Sequence, residues 1–192
     1  MNPGVILYGP PAAGKDTVTQ ELVKLAKDYV PFRRIKVGRG RTDGYRMVTA
    51  ADVERLRVNG DILWENERYG STYVVDHSAL ANDLSRGIPV LHLGQPDGID
   101  AVLSAFPSGS WIVVYIWSSR SIAAERIQAR QTGDTAERLA VWDSTPPVDA
   151  DIEINTGDLS AEQAARRIDK AVRLHNAPSP VSPVSLLSPE GD

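Results

Sequence analysis

Three unbroken apolar runs punctuate the chain: VILY at 5–8, PVLHL at 89–93 and WIVVYIW at 111–117. Short continuous runs of this kind predict strands buried on both faces of a parallel sheet, where no polar position has to alternate with an apolar one. DIEI at 151–154 is a shorter fourth. Between the runs, apolar residues recur at helical spacing. Val18, Leu22, Leu25, Ala26 and Tyr29 do so after a glycine-rich turn, and Ile168, Ala171 and Val172 do so near the end. Thr49 to Asp52 and Ser160 to Gln163 each fit a capping box, and Asn59-Gly60 closes the helix that the first one opens. Alternating strands and helices predict an α/β fold.

Past residue 176 the pattern stops. The last sixteen residues, APSPVSPVSLLSPEGD, hold eight Pro or Ser and no periodicity, so a folded domain over 1–176 and a disordered tail over 177–192 are expected. At 192 residues one core is the natural organisation. A formal net charge of -4 argues against broad attraction to nucleic acid or membrane, so an anionic partner must be met locally. With no Cys, disulfides and thiolate metal sites are excluded. The start MNPGVILYGP has neither the basic flank nor the apolar length of a signal peptide or a membrane span, and a cytoplasmic location is expected.

The turn after VILY reads GPPAAGKDT, residues 9–17, close to the phosphate-cradling pattern G-x-x-x-x-G-K-[ST]. A strand before it and an amphipathic helix after it supply the context the motif needs. In such a turn backbone N–H groups face a phosphate, the helix start adds its positive end, and a lysine reaches the terminal phosphates. The donor-binding residues are then Gly9, Pro10, Ala12, Ala13, Gly14, Lys15, Asp16 and Thr17. Asp16 stands where a hydroxyl normally meets Mg²⁺. A carboxylate also suits this hard cation, so Asp16 and Thr17 are the candidate metal ligands.

Residues 33–46, RRIKVGRGRTDGYR, hold six Lys or Arg against one acid. A solvated loop face would explain this, as would a nucleic-acid patch, but few aromatics are interleaved for base stacking. A site for a second phosphate-bearing molecule suits Arg39 and Arg41 better, since guanidinium groups grip phosphate oxygens in pairs. Arg126 and Arg130 lie four apart on a helix, and Arg138 follows across QTGDTAE. Three arginines around a flexible stretch suit a lid that spreads positive charge over a transferring phosphoryl group, although an ordinary surface helix would look the same.

In that order the pieces resemble the guanylate kinase family of P-loop nucleoside monophosphate kinases, over roughly residues 4–175. The resemblance implies a P-loop fold, a parallel sheet flanked by helices, with small acceptor-binding and lid subdomains. It also implies ATP and Mg²⁺ as cofactors and a small phosphorylated acceptor as partner. YRMVTAADVERL looks like a family segment whose Tyr, here Tyr45, grips the acceptor phosphate. ENERYGSTY looks like another, which implies that Tyr69 contacts that phosphate and that Glu65 or Glu67 reads the acceptor. RIQARQTGDTAERL looks like the lid, implying phosphate contacts from Arg126, Arg130 and Arg138. INTGD resembles the loop near the adenine, with Asn155 as the candidate. His92 and Gly94 stand where acids help read guanine. GKD followed by Thr, the run FRRIKVGR and Trp64 look like a sister branch, ribose 1,5-bisphosphate phosphokinase, whose loop also has Asp after the lysine.

The expected activity is transfer of the γ-phosphoryl group of ATP to the phosphate of a small acceptor, a nucleoside monophosphate first and ribose 1,5-bisphosphate as the alternative. A catalytically silent nucleotide-binding interaction module is the rival from another class, and a nucleic-acid end kinase is a third. His92 has two readings, crevice residue or structural histidine. Trp111, Trp117 and Trp142 are read as packing residues, and Asp97 as part of a PDG turn.

Overall fold

The computed structural model describes residues 2–107 and 111–175, so the tail expected over 177–192 lies outside the described residues. The four apolar runs form β1 (Gly4–Tyr8), β7 (Ile88–Leu93), β8 (Trp111–Trp117) and β9 (Ile152–Asn155). With β2 (Tyr29–Pro31) they make a parallel sheet in the order β2-β7-β1-β8-β9. Alternate residues of β1 feed two separate cores. Val5 and Leu7 pack with Val18 and Leu22 of α1 (Lys15–Leu25) and Ile168 and Val172 of α7 (Ala161–His175). Ile6 and Tyr8 pack on the opposite face with Leu80 and Leu84 of α3 (His77–Arg86) and Ile99 and Val102 of α4 (Pro96–Ala105). A strand covered on both faces needs no polar position, which is why these runs are continuous.

Tyr29 departs from the expected α1 periodicity. The helix ends at Leu25, the chain extends at Ala26, and Tyr29 opens β2, where it pairs with Ile88. Its phenol donates to Asp169 of α7 at 2.9 Å. Asp97 also differs from the expected turn: Pro96 starts α4 and Asp97 lies in its first turn, as a proline at the first helical position allows.

A second, four-stranded sheet stands beside the first, in the order β4-β3-β6-β5, with β3 (Ile35–Val37), β4 (Arg46–Met47), β5 (Ile62–Arg68) and β6 (Ser71–Asp76). Helix α2 (Ala50–Val58) covers its outer face through Ile35, Val53 and Val74. Thr49 and Asp52 make the full capping box at its start, and Ser160 and Gln163 exchange the same pair of bonds before α7. The β5–β6 hairpin turns at Tyr69 and Gly70, with φ of 53° and 62°, the left-handed pair that a two-residue hairpin requires. The remaining elements, α5 (Arg120–Ala129) and α6 (Thr135–Ser144), pack on each other beyond β8.

Candidate functional site

The glycine turn occupies residues 9–14, between the end of β1 and the start of α1. Gly9 lies so close to β8 that a Cβ there would stand 1.9 Å from the Ile116 carbonyl oxygen, and Gly14 takes φ of 99° just before the helix. Neither position accepts a side chain. The Lys15 ammonium donates to the carbonyls of Gly9 at 2.6 Å and Pro10 at 2.9 Å, so it lies curled inside the turn. Burial lowers its pKa to about 8, the neighbouring Asp16 opposes the fall, and Arg34 and Arg130 add to it. An ammonium held this way is poorly compensated, and a bound anion would restore its preference for the charged form.

Asp16 is held from two sides. Arg41 Nη1 donates to one carboxylate oxygen at 2.7 Å, and His92 Nδ1 lies 3.3 Å from the other. His92 Nε2 is 2.6 Å from the Thr19 hydroxyl. A proton on Nδ1 directed at Asp16, with Nε2 accepting from Thr19, satisfies both contacts with a neutral ring. Burial lowers the His92 pKa, consistent with that neutral form, while the contact with His92 and then Arg41 holds Asp16 well below the ordinary carboxylate range. His92 therefore braces the glycine turn's helix from β7.

A crevice of about 160 Å³ opens at the mouth of the turn. It joins Lys15 to Arg34, Arg68 and Arg138, and Tyr45, Tyr69 and Tyr73 form its walls. Arg34 lies over the Tyr73 ring at 5.3 Å and the Tyr45 ring at 5.9 Å, and Arg138 lies over Tyr69 at 4.9 Å. The rings hold the guanidinium planes while leaving their edges available to an anion. Arg138 comes from α6 and also pairs with Asp134 at 2.7 Å, which holds that carboxylate down at about 2. Among the described residues, no carboxylate lines the crevice.

The expected site residues separate by position. Lys15, Tyr45, Tyr69 and Arg138 line the crevice, and Arg41 reaches the turn through Asp16. Arg126 lies beside the turn but is committed to it: its guanidinium donates to Ala12 O at 3.2 Å and to Thr156 Oγ1 and O at 2.9 Å each. Arg130 caps α5 as an exposed residue, close enough for its charge to act on Lys15. Asn155 is spent locally on Asp158 and Gly157, while Thr156 next to it donates to Ala13 O at 2.9 Å. Arg39 is exposed and offers its carbonyl rather than its guanidinium, and Thr17 is exposed on the helix one residue past the metal position.

Glu65 lies away from the crevice. Across the second sheet Ile35, Val74 and Glu65 form one row and Lys36, Tyr73 and Asn66 the next. Successive rows point to opposite faces. Glu65 and Glu67 therefore face the α2 side, where Arg57 donates to Glu65 at 2.8 Å, and Asn66 and Arg68 face the crevice. Sequence reasoning also missed Lys36, only 3% exposed, whose ammonium donates to the carbonyls of Arg39 at 2.7 Å and Arg41 at 2.9 Å and so shapes the arginine loop.

For Mg²⁺, each Asp16 oxygen keeps a lone pair beyond its contact with Arg41 or His92, and the carboxylate sits in the first turn of α1 beside the phosphate cradle. That fits a metal held mainly by substrate phosphates and water with one protein carboxylate. Among the described residues no cluster of three metal-ligating side chains exists.

The fold has solved counterparts. The guanylate kinase of Anaplasma phagocytophilum superposes with a TM-score of 0.64 at 18% identity, over 93% of this chain and 88% of that one. The protein APE1195 follows at 0.52 and 13%, over 90% and 96%. A shikimate kinase from Acinetobacter baumannii, in complex with shikimate, aligns at 0.46 and 17%, over 93% and 97%. No family model matches the chain, and no curated protein matches it in sequence. The chain shares its fold with that guanylate kinase, and here it is a parallel sheet between helical layers, with a smaller sheet beside the mouth of the glycine turn.

Proposed function

We propose that the protein is an ATP-dependent phosphotransferase whose acceptor is itself a phosphate, a nucleoside monophosphate in the first instance. The observation that carries this reading is the single crevice in which Lys15 meets Arg34, Arg68 and Arg138. One phosphate needs the turn and its lysine; three further cations facing them suit a second anion brought against the first. An acceptor phosphate oxygen attacks the γ-phosphorus, the bond to the β,γ-bridging oxygen breaks, and ADP leaves with that electron pair. The nucleophile is already an anion at neutral pH, so no general base is needed.

The turn amides and Lys15 would hold the donor phosphates, Arg34 and Tyr45 the acceptor phosphate, and Arg138 the charge that spreads over the transferring group. Asp16 would hold Mg²⁺, whose charge would offset that of the donor phosphates. A second reading, ribose 1,5-bisphosphate as acceptor, draws on the absence of carboxylates among the described residues lining the crevice, which favours a more highly charged ligand.

The test is ADP release from ATP and Mg²⁺ across GMP, dGMP, the other nucleoside monophosphates and ribose 1,5-bisphosphate. Acceptor-dependent release is expected, falling at least about 100-fold in Lys15→Ala. Silence across the panel with ATP bound would favour the interaction module.

A further inference from the structure

We propose that Gln95 is a positioning residue: it aims Arg68 into the crevice without neutralising its charge, and Arg68 held in this way is an arm that grips the acceptor phosphate. The inference rests on the phosphotransferase reading only for the identity of that anion.

Gln95 stands at the N-cap of α4, directly before Pro96, yet its side chain makes no bond to the helix start. Ser, Thr, Asp or Asn would cap the helix better. The side chain turns to β5 instead. With its amide oxygen facing that strand, Gln95 accepts from Arg68 Nε at 2.8 Å, Arg68 Nη2 at 3.2 Å and Asn66 Nδ2 at 2.9 Å, and its amino group faces acceptors. The opposite orientation would set an NH2 group against three N–H donors. Asn66 and Arg68, two apart on β5, share the face that lines the crevice.

The means of holding decides the role. Arg41, Arg46, Arg57 and Arg138 meet the carboxylates of Asp16, Asp76, Glu65 and Asp134 in turn. Arg68 is held by a neutral amide, and no carboxylate among the described residues lines the crevice it enters. A guanidinium fixed by a neutral acceptor keeps its full charge for a ligand. Gln95 takes the edge formed by Nε and Nη2, which leaves three of the five N–H bonds for an anion. The fold does not need this contact to join α4 to β5. The Trp64 ring already packs there, so closely that a Cβ added at Gly98 would lie 3.2 Å from it.

Two substitutions separate aiming from packing. Gln95→Glu keeps the shape and the accepting oxygen and adds a negative charge where a helix start favours one, so the melting temperature should hold or rise. It neutralises Arg68 all the same. Gln95→Met keeps the size and removes the acceptor. The probe is inorganic phosphate, titrated into protein saturated with a non-hydrolysable ATP analogue and Mg²⁺, with the arginine Nε–H signals followed by NMR. The Arg68 signal is the one lost in Arg68→Lys. Phosphate should shift it in the wild type, and should bind about tenfold more weakly in Gln95→Glu and about threefold or more in Gln95→Met. The ATP analogue should bind all of them within about twofold. The two variants guard against one that misfolds, which a thermal melt identifies. The proposal is overturned if phosphate leaves the Arg68 signal unmoved, or if folded Gln95→Glu binds phosphate as the wild type does, as a merely structural glutamine would allow. Weakened phosphate binding without ADP release from any acceptor would keep the role of Gln95 and remove the phosphotransferase reading. Acceptor-dependent ADP release with an acceptor KM unchanged in Gln95→Glu would do the reverse.

Discussion

The Asp16 carboxylate accepts a hydrogen bond from the Arg41 guanidinium at 2.7 Å, tying the first turn of α1 to the loop between β3 and β4. Both side chains are about half exposed, so water screens the pair and its contribution to stability is about 1 kcal/mol or less. A tie this weak can be exchanged for another ligand of either partner. Arg41→Ala, which removes this tie and leaves the contact between Asp16 and His92, should therefore lower stability by less than about 1 kcal/mol in chemical denaturation. It should also speed amide exchange across residues 38–44; unchanged exchange there would show that Lys36 alone holds the loop.

Two groups around this tie give separate acid signatures. His92 titrates below its ordinary value because it is buried, so on acidification the unfolded chain takes up a proton first, and stability falls as pH drops below about 6.5. Asp16 also titrates below its ordinary value, so its contribution is complete above about pH 4 and is lost as pH falls beneath that. His92→Gln should flatten the upper limb of a stability-against-pH curve and Asp16→Asn the lower one. Urea melts across pH 3–8 would separate them.

Lys15 predicts a proton balance for donor binding. Its pKa of about 8 leaves it about half neutral at pH 8, and a triphosphate in the turn should raise it again. Binding a non-hydrolysable ATP analogue at pH 8 should take up about half a proton, falling towards zero at pH 6.5. Calorimetry in buffers of different ionisation enthalpy measures this directly, and Lys15→Met should abolish it.

Arg126 and Arg138 should fail in different ways. Arg126 makes its bonds to the backbone of the turn and to Thr156, so Arg126→Ala should cost about 1–3 kcal/mol of stability by leaving partly buried acceptors unpaired. Arg138 pairs with Asp134 and lies over the face of Tyr69, which lines the crevice. Arg138→Ala should leave the melting temperature nearly unchanged and lower turnover about 10²- to 10³-fold.

The main sheet and the glycine turn were legible in the sequence because each rests on a local signal. Continuous apolar runs mark strands covered on both faces, and the glycines of the turn are dictated by backbone geometry. The second sheet was not legible. Strands β3 and β4 are three and two residues long, and ILWENER is a block of apolar residues followed by a polar one, which reads equally well as a loop. That miss is why Glu65 was expected in the crevice and Asn66 and Arg68 were not, since a period of two assigns neighbours to opposite faces. Arg126 has another lesson: helical spacing places it beside Arg130, but only the β9–α7 loop, remote in sequence, reveals that three of its contacts go to Ala12 and Thr156.

Transfer between two phosphates at one crevice is the central claim. ATP labelled with ³²P at the γ position, incubated with Mg²⁺, the protein and the acceptor panel, reads it most directly. The label should appear in a phosphoanhydride on the acceptor, absent with Lys15→Ala and sharply reduced with Arg138→Ala. Label found only in inorganic phosphate, or distributed identically with and without acceptor, would contradict it.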